Sequence, residues 1–91
     1  MLFDWDDLKA EYNLRKHGVP FSRVVDFDFD LAQSVADERR SYGEDRMIAY
    51  APLDGRLHCL VYVIRADTFR IISLRRANAR ERAAYDRRKA R

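Results

Sequence analysis

Ninety-one residues with one cysteine make a single domain, residues 1–91, with no intramolecular disulfide to brace it. Apolar residues are 47% and charged residues 36%, the mixture of a core and a solvated shell rather than of a disordered chain. No run approaches the ~20 apolar residues of a membrane span, and the acidic opening from Met1 to Lys9 lacks the basic-then-apolar order of a secretory leader. A lone thiol suits a reducing compartment, so the chain reads as cytoplasmic and away from the membrane.

Charge is segregated along the chain. Residues 1–45 carry 11 acids against 6 bases, and residues 46–91 carry 12 bases, 11 of them arginine, against 4 acids. Arginine presents a planar fork of donors that matches phosphate oxygens, so the second half suits nucleic acid. A solvated surface in an arginine-rich chain is the plainer reading of the same bias.

The elements follow in order. Leu2 to Trp5 reads as a short strand. Asp6 is a helix N-cap, Asp7 to His17 a helix with Leu8 and Tyr12 on one face, and Gly18 its stop. Phe21, Val24, Val25 and Phe29 have helical spacing, which predicts a second helix from Phe21 to Asp28 and places these side chains, with Trp5, in the core. Ser34–Glu38 and Arg46–Leu53 read as strands, and Asp54-Gly55 as a hairpin turn. Leu57 to Arg65 is apolar on both faces and should be the central strand. After the Ala66-Asp67-Thr68 turn comes the last strand, Phe69 to Arg75, whose alternation puts Ile71, Ser73 and Arg75 on one face. A C-terminal helix runs from Asn78 to Lys89, with Glu81 at capping-box spacing. The expected fold is α+β in the order β-α-α-β-β-β-β-α: an antiparallel meander with two N-terminal helices on one face and one C-terminal helix.

The chemistry must come from this inventory. His58 and Cys59 are adjacent in a strand and point to opposite faces, and no Cys/His spacing resembles a zinc site, so neither a metal nor another cofactor is expected. There is no glycine-rich phosphate loop and no nucleophile elbow. Cys59 itself reads as a small buried hydrophobe. What remains is arginine with a few proton-transfer groups. RNA can be cleaved by attack of its own 2′-hydroxyl on the neighbouring phosphate, and preorganised arginines stabilise the charge of the pentavalent transition state. Arg65 and Arg75, at strand ends, are the candidates, provided strand direction and register bring them together. His17 has the pKa range of a base, but equally the position of a helix C-cap. Glu81 could be a base or only a cap. Tyr85, one turn beyond it, could stack or donate a proton, or only pack the helix on the sheet. Ser73, Arg46, Arg76 and Arg82 are candidates for RNA phosphate contacts. Asp26, Asp28 and Asp30 repel RNA, and form a solvated surface or meet a basic partner.

An ordered set of residues then resembles a known family. Phe3 to Asp6 (F-x-W-D), Lys9 with Asn13, Lys16-His17-Gly18-Val19 and Phe21 are similar to the opening of BrnT toxins. Asp37 to Arg39, Glu44-Asp45-Arg46, Gly55-Arg56, Val61-Tyr62 and Arg65 resemble its middle. Arg70-Ile71-Ile72-Ser73, Arg75, Ala77, Glu81-Arg82 and Tyr85 resemble its end. The resemblance implies a compact RelE-like domain and a metal-independent endoribonuclease that arrests growth. It implies a BrnA-like antitoxin with a ribbon-helix-helix domain, bound as a heterotetramer that reaches operator DNA through the antitoxin and represses its own operon. Carried over by position, the RelE-type arginines and C-terminal tyrosine fall on Arg65, Arg75 and Tyr85. The alternative is a non-catalytic RNA- or protein-binding module that acts as partner and co-repressor.

Overall fold

A computed structural model describes residues 1–39 and 43–90. Its elements are β1 (Leu2–Trp5), α1 (Asp7–His17), two 3-10 turns (Phe21–Asp26 and Phe29–Leu31), β2 (Gln33–Ala36), β3 (Arg46–Leu53), β4 (Arg56–Arg65), β5 (Thr68–Arg76) and α2 (Ala79–Lys89). Five strands form one sheet in the order β1-β5-β4-β3-β2. From β2 to β5 it is the expected antiparallel meander, and β4 is its central strand. β1 departs from that expectation. It pairs with β5 in parallel, Leu2 opposite Thr68 through Trp5 opposite Ile71, so the sheet is mixed. The crossover between β1 and the meander is long enough to permit this, because α1 and the 3-10 turns lie within it.

Local chemistry accounts for the element ends. The Asp6 carboxylate accepts from the Lys9 N–H at 3.0 Å, and Gly18 closes α1 with φ +73°, its N–H donating to the Leu14 carbonyl at 2.8 Å. Asp54 and Gly55 both have positive φ, the requirement of a two-residue hairpin turn that follows the strand twist. The capping box of α2 is present in both directions: Asn78 accepts from the Glu81 N–H, and Glu81 accepts from the Asn78 N–H.

The main hydrophobic cluster lies on one face of the sheet. Ala49, Ala51 and Leu53 of β3, Leu60 and Tyr62 of β4, and Ile71 and Leu74 of β5 meet Val19, Phe21, Val24 and Phe27 from the crossover. Phe3, Phe27, Phe29, Tyr62 and Phe69 form a connected aromatic cluster, with Tyr62 and Phe69 stacked at 5.0 Å. Leu60 and Leu74 are cross-strand partners with no exposed surface, so truncating either to alanine should cost about 2–5 kcal/mol.

The second helix of the sequence reading is replaced by two 3-10 turns. Phe21, Val24 and Phe27 are buried at a spacing of three, which is the 3-10 repeat, and Val25 is 70% exposed rather than in the core. The Leu8–Tyr12 face of α1 also looks outward; its inward side is small and polar, with Ala10 packed on the core and Asn13 buried. Asn13 does unusual duty there. β1 ends at Trp5, which leaves the outer edge of β5 beyond Ile71 without a strand partner. The Asn13 carboxamide fills that place: Oδ1 accepts from the Leu74 N–H at 3.2 Å, and Nδ2 donates to the Leu74 carbonyl at 2.8 Å and to the Val19 carbonyl at 3.0 Å. No helix among the described residues is long and apolar enough to cross a membrane.

Candidate active site

The opposite face of the sheet carries the polar chemistry. A register slip between Val61 and Tyr62 alters the alternation of β5, so Ile71 and Leu74 both enter the core while Ile72, Ser73 and Arg75 line a pocket on the other side. Ile71 therefore does not share a face with Ser73 and Arg75. Across the strands, Tyr50, Cys59 and Arg75 stand in one row, because Tyr50 pairs with Cys59 and Cys59 with Arg75. α2 starts beside this row and lowers Glu81 onto it. The resulting pocket has a volume of about 420 Å³, and Arg46, Tyr50, Cys59, Ser73, Arg75 and Glu81 are among its walls.

Glu81 is held at both oxygens. Arg75 Nη1 donates to Oε1 and Nη2 to Oε2, each at 2.8 Å, in the parallel two-bond geometry of a guanidinium and a carboxylate. The Tyr50 hydroxyl donates to Oε2 at 3.0 Å, and the Asn78 backbone N–H donates to Oε1 at 2.9 Å. The arginine bonds, with help from the Asn78 N–H and Tyr50 and against some burial, pull the Glu81 carboxyl down to about 2. Its partner moves the opposite way: hydrogen bonding to Glu81 holds the Arg75 guanidinium above its already high range. Burial, with the Cys59 thiol and Glu81 nearby, raises the Tyr50 phenol well above its usual range, so its proton stays in place as a donor. Burial likewise raises the Cys59 thiol. The pocket at neutral pH thus holds an ionised carboxylate, a charged guanidinium and a protonated phenol within one hydrogen-bond network.

The sequence-predicted residues divide among several places. Arg75 and Glu81 are in direct contact, and Arg46 and Ser73 line the same pocket. His17, at the end of α1, is within electrostatic reach of Arg75; partial burial first, then Lys16 and Arg75, lower its pKa. Arg65 is elsewhere. It pairs with Thr68 at the β4–β5 turn and binds Glu44 at 2.9 Å, while Arg75 stands opposite Cys59. The six residue steps from Cys59 to Arg65 span about 20 Å of strand, so antiparallel direction sends the two arginines to opposite ends of the sheet. Tyr85 is buried, donates its hydroxyl to the Leu31 carbonyl at 2.7 Å, and accepts at its own carbonyl from Gln33, which docks α2 beside β2. Burial, then Asp28 and Asp86, raise its pKa. Arg76 and Arg82 line a different recess on the other side of the β5–α2 junction.

Sequence reasoning missed Tyr50, the tyrosine that faces the pocket, and saw in Cys59 only a small buried side chain. The signal for Tyr50 was present: Arg46, Ile48 and Tyr50 alternate with the core-facing Met47, Ala49 and Ala51. Among the described residues, no group of three His, Cys, Asp or Glu side chains is placed to hold a metal ion.

Comparison with known proteins gives the arrangement a family. No curated protein matches the chain. The model of the ribonuclease toxin BrnT, of type II toxin–antitoxin systems, matches residues 5–81, a span that includes Arg46, Tyr50, Ser73, Arg75 and Glu81. With most of its length so matched, the chain belongs to the BrnT family of type II toxin–antitoxin ribonucleases.

Proposed function

We propose that the chain is a metal-independent endoribonuclease whose centre is the Arg75–Glu81 pair. The observation that carries this reading is the two-bond contact of Arg75 with Glu81 inside a pocket that also presents Tyr50, Ser73 and Arg46. Arg75 is placed to receive a phosphate with the same fork it now turns on a carboxylate. When a scissile phosphate draws that fork away, Glu81 loses the main cause of its lowered pKa and regains basicity. It then accepts the 2′-hydroxyl proton. O2′ bonds to phosphorus, the P–O5′ bond breaks, and O5′ takes a proton from water, leaving a 2′,3′-cyclic phosphate and a 5′-hydroxyl. Arg75 stabilises the charge that gathers on the phosphorane, and the retained Tyr50 proton gives a further donor. Arg65 and Tyr85, candidates by position, stand outside this centre; His17 stands near enough for Arg75 to contribute to its lowered pKa.

The antitoxin of this reading is a BrnA-like ribbon-helix-helix protein that covers the arginine face in a heterotetramer and represses the operon through its own DNA contacts. Both partners act in the cytoplasm, and the domain is RelE-like. The β2–β5 meander, with its helical crossover on one face and arginine on the other, supports that assignment. A second reading, a non-catalytic binding module, draws on the full commitment of Glu81 to four hydrogen bonds.

The deciding experiment is to incubate the purified chain with RNA in excess chelator, beside Arg75→Ala, and to map the new ends. New 5′-hydroxyl ends that vanish in the variant support the centre. New ends in both move it away from Arg75, ends that need a metal contradict the metal-independent step, and none from a folded chain leaves the binding module.

A further inference from the structure

The β5–α2 junction has two sides, and the Arg75 pocket occupies one of them. Arg75 and Arg76 are consecutive and point to opposite sides of β5; Glu81 and Arg82 are consecutive on α2. Behind the Arg75 pocket, the walls of a recess of about 370 Å³ are Gly55, Arg56, Leu57, Arg76, Ala77 and Arg82. Three of these six are arginine and none is acidic.

Ion pairing separates these arginines from others in the molecule. Arg15, Arg23, Arg39, Arg65, Arg70 and Arg75 each meet a carboxylate. In the cleft next door, which shares Arg56 and Arg76 with the recess, Arg23 is held by both Asp26 and Asp54. Among the described residues, Arg56, Arg76 and Arg82 have no carboxylate within ion-pair distance. Three like charges around one concavity repel one another, and an anion relieves that repulsion. The walls are also positioned in advance. Arg82 Nη1 donates to the Ala77 carbonyl at 3.0 Å, the Ala77 N–H donates to the Leu57 carbonyl at 2.9 Å, and the buried His58 ring bonds the Arg56 carbonyl through Nδ1 at 2.8 Å.

We infer that the Arg56–Arg76–Arg82 recess is a second phosphate site, which holds a backbone phosphate of the same single-stranded RNA beside the one bound at Arg75. The inference rests on the ribonuclease reading of the Arg75 pocket. RNA is favoured over an acidic protein segment because neighbouring residues line the two sites, Arg75 beside Arg76 on β5 and Glu81 beside Arg82 on α2. The Arg75 Nη1 donates to the Arg76 carbonyl at 3.2 Å, so a strand with regularly repeated phosphates that crosses the junction meets both sites in succession.

The test is anisotropy of a fluorescein-labelled 12-nucleotide RNA with 2′-O-methyl riboses, which binds but cannot be cut. The Arg56→Ala/Arg76→Ala double variant should bind at least about tenfold more weakly, and its salt dependence should flatten by about 0.7 in log–log slope for each phosphate no longer held. Arg87→Ala/Lys89→Ala, which removes the same charge from the far end of α2, should weaken binding much less, and Arg76→Lys, which keeps the charge, should retain most of the affinity. Arg82 is left intact because it braces the backbone. Equal weakening in the two double variants, or unchanged affinity and slope in a variant that melts like the parent, overturns the proposal. So does a double variant that keeps RNA but no longer binds the antitoxin, which would make the recess a protein-binding surface. A parent chain that binds this RNA through the recess yet cleaves no natural RNA would sink the ribonuclease reading and leave the phosphate site standing.

Discussion

Two arginine–glutamate pairs stand at opposite ends of the same sheet. Arg75 meets Glu81 through two 2.8 Å bonds, and Arg65 meets Glu44 through bonds of 2.9 to 3.2 Å. In sequence both arginines close strands of similar character. Their surroundings differ. The Glu81 side chain keeps 14% of its surface exposed, lies in a pocket, and takes two further hydrogen bonds, from Tyr50 and Asn78. The Arg65 side chain is 55% exposed on the far side of the β4–β5 turn. A charged pair in open solvent has little net worth, because water and salt screen it, whereas a sheltered pair surrounded by fixed donors is a preorganised electrostatic device. The comparison teaches that residue type nominates and environment selects.

The largest expected difference is in catalysis. Arg75→Ala should lower RNA cleavage by about 10²–10³, the loss of one preorganised transition-state donor, whereas Arg65→Ala should stay within about threefold. Single-turnover cleavage of a labelled RNA with both variants checks this. The reverse ordering would break the comparison and move the centre to the far end of the sheet.

The next effect concerns what holds Arg75 in place. Asn13 bonds the N–H and carbonyl of Leu74, the residue before Arg75, and is buried. Asn13→Ala strands both backbone groups and should cost about 2–3 kcal/mol of stability, read from urea unfolding. Asn13→Asp keeps the acceptor but turns a buried carboxylate oxygen toward the Leu74 and Val19 carbonyls, and should cost at least as much as Asn13→Ala. If both variants melt like the parent, β5 is not held from α1.

Much of this frame was legible in the sequence, and the exceptions have physical causes. Asp6, Gly18, Asn78 with Glu81, and Asp54-Gly55 are local devices, and each forms where local chemistry demands. β4 announced itself as central because it is apolar on both faces. Phe21, Val24 and Phe27 were harder, since spacings of three belong to both helical repeats until the buried set is known. The bulge opposite Val61 and Tyr62 leaves no mark in β5 itself, and it inverts the faces of its first half. The parallel seat of β1 depends on a crossover whose length permits either direction. Arg46, Ser73, Arg75 and Glu81 of the candidate site came from residue chemistry and spacing; Tyr50 waited on cross-strand register, and the distance of Arg65 on strand direction.

Acid titration sharpens the comparison with a smaller signal. Glu81 sits at about 2 in the folded chain against an ordinary value of 4.5, so its folded pKa is depressed. Its contribution is fully present above about pH 5 and is lost as pH falls toward 2. Solvent on the outer side of the pair screens part of the shift, which leaves about 1–2 kcal/mol at stake. Urea midpoints at pH 7 and pH 3 should therefore converge in Glu81→Gln relative to the parent. A parent and variant that lose stability equally over that interval would place the acid-sensitive group elsewhere.

The smallest effect probes the difference between the two pairs most directly. Tyr50 donates to Glu81 Oε2, and its phenol is held in the protonated state by burial. Tyr50→Phe removes that one bond and leaves the ring, so Glu81 keeps Arg75 and the Asn78 N–H but loses a fixed donor. A neutral donor on a carboxylate contributes on the order of 1 kcal/mol, which predicts a several-fold fall in cleavage rate rather than its loss. The direction of the accompanying pH effect is set as well. Without the Tyr50 bond the Glu81 carboxylate is less stabilised, so its pKa rises toward the ordinary range and the acidic limb of the rate profile moves to higher pH. A rate loss with no movement of that limb would assign Tyr50 to the phosphate rather than to Glu81. No loss at all would mean that the ring alone shapes the pocket, and that Arg75 and Glu81 suffice to separate this pair from its counterpart at the other end of the sheet.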